Sequence, residues 1–479
     1  MQNKTEISAS TSARVLAEKQ PRDKCGVFAV YTYRGPDNAA LLTYLGLQAL
    51  QHRGQESAGM AFIDGDEIKH FKGMGLVDHV FPREMLLLNK SKAVLGHVRY
   101  STTGPSLSVN AQPLVARSKD KTGIALAHNG NLTNTRHLHN KLLREGHIFH
   151  TTSDTEIMLS YLFRYKTYGL KEAVKKTMSV IQGAYAAVVM DGEKMVAFRD
   201  PNGFRPLTIG RIGNSYFFAS ESSAFDAAGA AFVREVEPGE IVTAGPGGLV
   251  SDYSELEANP TLCIFEYIYF SRPDTILDGK SIYEVRRKVG SLMAERISLN
   301  LDMVIPSPDS GITSAIGLAD RLNVSLEWAV HRNPYLGRTF IEPTQNDREL
   351  AVRLKFNPIR ELVRGKKVAV VDDSLVRGTT ARVVVSLLKK AGAGEVHLCI
   401  ASPPYKHPCY YGIDIPLAGD LAMPGSGLEE LVASLGANSI TFAELDDLYQ
   451  AVDSKQKGLC SACFSGIYPE LGKHKGKVS

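Results

Sequence analysis

The string VAVVDDSLVRGTT, residues 368–380, limits what this chain can fold into more than any other stretch of it. A buried β run ends in two adjacent acids and passes through a small, polar, glycine-containing loop into a helix, which is the grammar of a parallel sheet. At the carboxyl end of such a strand, the loop amides and the helix N-terminus face a crevice that favours an anion such as phosphate. Ser374 and Thr379 or Thr380 add hydroxyl donors. Asp372 and Asp373 repel phosphate, so the pair must meet sugar hydroxyls, a divalent cation, or positive charge developing on a sugar. Phosphate, ribose and Mg2+ form the natural ligand set. The bland alternative is a polar helix cap after a buried strand.

The same grammar extends to either side. A strand at 303–306, a helix near 313–322 and a strand near Ser325 to Val330 make one βαβ unit; strand 368–371, helix 379–390, a stop at Gly392 and Gly394, and strand 396–401 make another. Between Cys25 and about Ala258 the pattern differs. Short apolar runs are broken by the hairpin signals Asp64-Gly65, Asp191-Gly192 and Gly213-Asn214, with helical periodicity in AALLTYLGLQALQH and after Ser153. The expectation is an α+β layered half with helices outside sheets, then an α/β half with a doubly wound parallel sheet. The division falls near Gly-Pro-Gly-Gly 245–248 and Asn259-Pro260, giving 25–258 and 259–479 after a leader of 1–24. A length of 479 residues has room for both halves.

Composition excludes several classes. With 44% hydrophobic and 22% charged residues the chain can bury a core, and it is neither disordered, collagenous nor a coiled coil. A net charge of +4 gives no sign of a nucleic-acid or membrane-surface partner. No run of about 18 apolar residues occurs. The first 24 residues lack the apolar block of a secretory signal and mix acids with bases, unlike organelle transit peptides, so the expected compartment is the cytoplasm. Cysteines there are core filler, metal ligands or nucleophiles rather than disulfides.

Cys460 and Cys463 have the Cys-x-x-Cys spacing of zinc sites, redox pairs and iron–sulfur clusters. Adding Cys263 and Cys409, which sit beside Pro or turn residues, gives four thiolates, enough for a [4Fe-4S] cluster or for zinc. Cys399, in mid-strand, reads as core, and Cys25 alone would read the same way.

The string 368–380 resembles the signature of type I phosphoribosyltransferases, which implies that Asp372 and Asp373 hold ribose hydroxyls and that Ser374, Arg377, Gly378, Thr379 and Thr380 hold a 5-phosphate. Ser310 in PSPDSGITSA would serve pyrophosphate and, with the two acids, Mg2+. The first half, through HRGQESAG (52–59), HVRYSTTG (97–104), AHNGNLTN (127–134) and TSDTEIM (152–158), resembles the glutaminase domain of N-terminal-nucleophile amidotransferases, with their layered αββα fold. That resemblance makes Cys25 the nucleophile once 1–24 are removed, with its own α-amine as base. Arg99 would hold the glutamine carboxylate and Asp154 its ammonium; Asn129 and Gly130 would form the oxyanion hole, and Arg53 and Gly54 would close over the substrate. His52, His97 and His128 read as structural.

Both resemblances together are those of the glutamine phosphoribosylpyrophosphate amidotransferases, with further matches in FRDPNGFRPL, ASES, FEYIYFSRPD and GRTFIEP. The four cysteines fit the subgroup with a leader and a [4Fe-4S] cluster, which selects iron over zinc. What this implies is a homotetramer, inhibited by purine nucleotides, that makes 5-phosphoribosylamine, glutamate and pyrophosphate from glutamine, water and phosphoribosyl pyrophosphate. A non-catalytic phosphoribosyl pyrophosphate-binding regulator is the alternative, but it gives no reason for Cys25, Arg99, Asn129 and Asp154. The basic, polar stretch 338–357 suits a loop that orders over an anionic substrate and couples the two sites.

Overall fold

The computed structural model describes residues 25–33, 38–88, 90–100, 107–118, 123–192, 194–333, 356–376, 378–413, 427–453 and 458–471. The expected leader 1–24, residues 101–104 of the second motif, Arg377, and all but the end of the 338–357 stretch lie outside them.

In the strand Gly26–Thr32, Val27 and Ala29 join one apolar core while Phe28 and Val30 join another, the alternation of a strand covered on both faces. The outer core is closed by the helices Ala39–Ala49 and Ser223–Ala228. The inner one lies between two antiparallel sheets and is rich in alanine: Ala29, Ala125, Ala127, Ala186 and Ala197 let the sheets approach closely. The first sheet runs Ala231–Glu235, Thr208–Ile212, Ser215–Ala219, Gly26–Thr32, Ala93–Arg99, Ser57–Asp64, Glu67–Met74. The second runs Gly248–Tyr253, Glu240–Gly245, Met195–Arg199, Gly183–Met190, Gly123–Leu132, Leu114–Arg117. Its far face packs on the helices Asp154–Tyr165 and Leu170–Met178. The layers are thus helix, sheet, sheet, helix, as expected. All three hairpin signals join paired strands, at 64–67, 190–195 and 212–215. Gly245–Gly248 turns a hairpin within the second sheet.

The second half is a parallel sheet in the order Ser325–Leu326, Met303–Pro306, Lys367–Asp372, Glu395–Ile400, Ser439–Phe442. Helices Ile282–Met293 and Ile312–Leu322 supply one apolar face, Thr379–Lys390 and Leu428–Leu435 the other. The strand expected over Ser325 to Val330 is two separate pieces. Only Ser325–Leu326 pairs with Met303–Val304; the chain then leaves the sheet edge through half-exposed Trp328, and Val330–Arg332 pairs antiparallel with Phe356–Pro358.

Candidate functional site

Cys25 immediately precedes the central strand of the first sheet and is 7% exposed. Its Sγ lies 3.5 Å from the carbonyl of Tyr100, and Gly26 pairs with Val98, which brings Arg99 alongside at the end of its own strand. Arg99 is buried with Glu56 at 3.8 Å. His97 ties this strand to the second sheet through Nε2, 3.1 Å from the carbonyl of His128. Burial, helped by the charge of Arg99, pulls His97 down to about 3, so it is a neutral strut that donates through Nε2. Asn129 and Gly130 lie within the same Gly123–Leu132 strand, directly after His128.

Two features there set this strand apart, and the first is costly to a resting fold. Asn129 Nδ2 is buried and finds no acceptor among the described residues, a deficit of roughly 1–3 kcal/mol for such a donor. Gly130 has φ 141°, and a Cβ on it would stand 2.1 Å from the carbonyl oxygen of Ala184, so only glycine fits. Asp154 is the first residue of its helix, after the cap Ser153, and its Oδ2 accepts from the Leu132 amide at 2.9 Å. Cys25, Arg99, Asn129 and Asp154 therefore gather at one end of the sheet pair.

Arg53 is wholly buried. Its Nε donates to the Cys25 carbonyl at 3.3 Å, Nη1 to Glu221 at 2.6 Å, and Nη2 to both oxygens of Glu266 at 2.8 and 2.9 Å. Burial opposes its charge, but Glu266 and Glu221 outweigh it and hold the guanidinium above its ordinary pKa. His52 Nε2 lies 2.7 Å from the same Glu221. Sequence reasoning gave neither glutamate a role. The signal was a lone acid inside an otherwise small or apolar string, ASES and IFEYIYF. Gly54 sits against the 98–99 backbone, where a Cβ would meet Val98 C at 2.5 Å.

In the other half, Asp372 ends its strand and Asp373 follows it. Ser310 Oγ, from the loop after the neighbouring strand, donates to Asp372 Oδ1 at 3.3 Å, and Ser374 Oγ to Asp373 Oδ2 at 2.7 Å. Gly311 lets that loop close on the strand end, since a Cβ would stand 2.1 Å from the carbonyl oxygen of Val371. Gly378, at φ 77°, opens the helix beginning Thr379-Thr380. Burial, then the like charge of Asp373, pushes Asp372 well above the usual carboxylate range, so the pair needs a cation or hydroxyl donors. Two carboxylates and a hydroxyl are hard oxygen donors that suit Mg2+ completed by substrate oxygens. Among the described residues no three His, Cys, Asp or Glu side chains close on one metal ion.

The short strands Leu262–Cys263 and Leu459–Cys460 pair in parallel, with Cys263 opposite Cys460. The amides of Lys406 and His407 both donate to the Cys463 carbonyl at 3.1 Å, which brings the Cys409 loop to the same place. Cys409 and Cys460 pack with Phe204, Tyr411 and Ala184. Burial pushes Cys263 up to about 12 and raises Cys460 and Cys463 as well, with Cys409 adding to each. The backbone thus brings the segments carrying these four cysteines together, but among the described residues their thiols do not close as a set of three or more on one metal ion. Cys399 is buried in the parallel sheet, in the same apolar core as Cys263 and Cys463, and burial alone lifts it to about 12.

Residues 97–227 match the family model of the glutamine amidotransferase domain, and residues 274–411 that of the phosphoribosyl transferase domain. The chain is 43% identical to the amidophosphoribosyltransferase of Bacillus subtilis over 460 residues, covering 95% of this chain and 96% of that one. It is 43% identical to that of Methanocaldococcus jannaschii, covering 93% and 97%. The solved B. subtilis glutamine phosphoribosylpyrophosphate amidotransferase, complexed with ADP and GMP, superposes with a TM-score of 0.87 at 42% identity, covering 94% of this chain and 98% of that one. With both halves present in one chain and matched end to end, this chain belongs to the amidophosphoribosyltransferase family.

Proposed function

We propose that Cys25 is the nucleophile of a glutaminase centre and that Asp372 and Asp373 are the ribose-binding acids of the transferase centre it feeds. As a member of its family the enzyme makes 5-phosphoribosylamine, glutamate and pyrophosphate from phosphoribosyl pyrophosphate, glutamine and water, the first committed step of purine biosynthesis. The observation that carries the assignment is the buried, unsatisfied Nδ2 of Asn129 beside a backbone that only Gly130 can adopt.

Removal of residues 1–24 leaves Cys25 with a free α-amine, whose ordinary pKa near 8 suits a base at neutral pH. The amine takes the thiol proton, and the thiolate attacks the carboxamide carbon of glutamine. Asn129 Nδ2 and the Gly130 amide receive the oxyanion, the protonated amine returns its proton to the departing nitrogen so that ammonia leaves, and water, giving a proton to the same amine, attacks the thioester to release glutamate and restore the thiol. Arg99 pairs with the substrate carboxylate and Asp154 with its ammonium. Gly54 forms the wall of the site, and Arg53 serves glutamine by fixing the Cys25 carbonyl.

In the transferase centre, Ser374, Arg377, Gly378, Thr379 and Thr380 hold the 5-phosphate. Ammonia attacks C1 of the ribose as pyrophosphate leaves, and the two acids stabilise the positive charge on the sugar. Ser310, Asp372 and Asp373 would hold Mg2+, which supplies charge neutralisation of the pyrophosphate. Cys263, Cys409, Cys460 and Cys463 would hold a [4Fe-4S] cluster. The enzyme is a cytoplasmic homotetramer, and purine nucleotides inhibit it; ADP and GMP in the B. subtilis structure support the last point. Among the described residues no helix is long and apolar enough to cross a membrane.

The test is pyrophosphate release that requires both glutamine and phosphoribosyl pyrophosphate, from protein whose first residue by mass is Cys25. About four irons per chain are expected. Full activity in a chain starting at Met1, or zinc in place of iron, would overturn the corresponding assignment.

A further inference from the structure

The buried charges around Arg53 do not end at the glutaminase centre. Glu266, which grips Arg53, opens a five-residue π turn, Glu266–Phe270, in the segment that leads into the second half. Ser271 Oγ donates to Glu266 Oε2 at 2.8 Å and braces the carboxylate from behind. Arg286, buried on the helix Ile282–Met293, clamps the turn: Nε donates to the Tyr267 carbonyl and Nη2 to the Ser271 carbonyl, both at 2.7 Å. Tyr267 and Phe270 share one apolar core with Val371 and Val376, which flank the acid pair. Among the charges that oppose burial at Arg286, Asp373 acts first, then Glu221 and Glu266. A path of direct hydrogen bonds thus runs from Arg286 through the turn, Glu266 and Arg53 to the carbonyl of Cys25, and the apolar core shared by Tyr267, Phe270, Val371 and Val376 carries it on to the strand and loop that bear Asp373.

We propose that Glu266 and Arg286 are positioning residues that couple the two centres, with the Glu266–Phe270 turn as the element that moves. This rests on the reading of Cys25 as nucleophile and of the acid pair as the phosphoribosyl site. A π turn carries one residue more than the α turn it replaces and recurs at functional sites. Removing that extra residue from the turn rotates its first side chain by about 100°. Glu266 would then leave Arg53, and Arg53 would lose its hold on the Cys25 carbonyl. Ligand or cation at Asp373 changes the charge that Arg286 faces, and Arg286 fixes the two carbonyls whose spacing defines the turn. Occupancy at one centre therefore selects the turn geometry that sets the nucleophile at the other, and the effect on binding is reciprocal.

The experiment is steady-state glutamine hydrolysis by the full, processed enzyme with and without saturating phosphoribosyl pyrophosphate and Mg2+, resolved into kcat and KM. Ammonia-dependent synthesis is measured in parallel. In the unaltered enzyme, kcat/KM for glutamine should rise by about tenfold or more. Glu266→Gln and Arg286→Lys should each cut that rise to under about threefold, and the double variant should lose no more than either single one, because both act on one path. Glu266→Gln should keep ammonia-dependent synthesis within roughly twofold, as a residue acting only through the turn must. If Glu266→Gln fails to fold, Ser271→Ala, which removes one bond to the same carboxylate, must lower the rise. Full stimulation in the folded Glu266→Gln protein, or in Ser271→Ala where Glu266→Gln is unfolded, overturns the link alone. An unaltered enzyme that hydrolyses glutamine without stimulation likewise overturns the coupling, whereas one that hydrolyses no glutamine, or makes no product from ammonia, overturns the reading beneath it.

Discussion

The two catalytic regions are built by opposite strategies. Cys25, Arg99, Asn129 and Asp154 are all at most 8% exposed, held between two antiparallel sheets and fixed by struts such as the His97–His128 contact. Ser310, Asp372, Ser374, Thr379 and Thr380 are only half-buried, on the strand end, loops and helix start at the open end of a parallel sheet, although Asp373 beside them is buried. The first centre is finished before its substrate arrives and stores its cost in an unsatisfied donor, beside a backbone position that only glycine can occupy. The second is incomplete until phosphate and cation supply the missing charges. Preorganisation suits the covalent step, where a small displacement of the oxyanion hole costs much of the rate. Openness suits a large anionic substrate that must enter and leave.

Variants separate these strategies. The largest effect should come from the reactive groups themselves. Cys25→Ala should abolish glutamine-dependent synthesis while ammonia-dependent synthesis persists. Replacing both Asp372 and Asp373 by Asn should lower synthesis from either nitrogen donor, by about 10²–10³ in kcat. Parallel assays with the two donors check this, and a double Asn variant with ordinary ammonia-dependent turnover would reduce the pair to a helix cap.

Gly130→Ala tests preorganisation without touching a reacting group. The added methyl collides with the Ala184 carbonyl at a φ that alanine rarely adopts, so the strand must shift. Glutaminase kcat should fall by about 10²-fold while ammonia-dependent synthesis changes little. An equal loss for both donors would mean the damage is global.

The smallest effect concerns pH and is confined to the first half. His97 has its pKa lowered from 6.5 to about 3, so between those values the unfolded chain binds a proton that the folded chain refuses. Its contribution to stability is intact above pH 6.5 and falls as the pH drops toward 3, by about 1.4 kcal/mol per unit within that window. Thermal unfolding between pH 7 and 5, with His97→Gln as reference, should show the steeper acid loss in the unaltered protein.

The same contrast explains what could be read from the sequence. Strand-end loops carry their chemistry in contiguous strings, so Asp372, Asp373 and Ser374 and the helix from Thr379 could be named from 368–380, and their partner Ser310 from a second short string. The layered half was legible as hairpins and motifs because turn residues act locally. What sequence reasoning missed is long-range. Arg53 meets Glu221 and Glu266, which lie 168 and 213 positions away, and no local pattern pairs them. Cys263 and Cys460 could be named as a set, but their register pairing emerges only from the fold. The strand expected at 325–330 failed for a different reason: its apolar residues belong to two pairings, one in the main sheet and one outside it.

The central claim is that ammonia made at Cys25 is consumed at the acid pair. It is tested most directly by supplying glutamine labelled with ¹⁵N at the amide, together with excess unlabelled ammonium, and trapping the product amine. The unaltered enzyme should deliver ¹⁵N to 5-phosphoribosylamine well above its share of free ammonia, and Cys25→Ala should make only unlabelled product. Labelled product from Cys25→Ala, or label in the unaltered enzyme no higher than the bulk pool, would contradict the account.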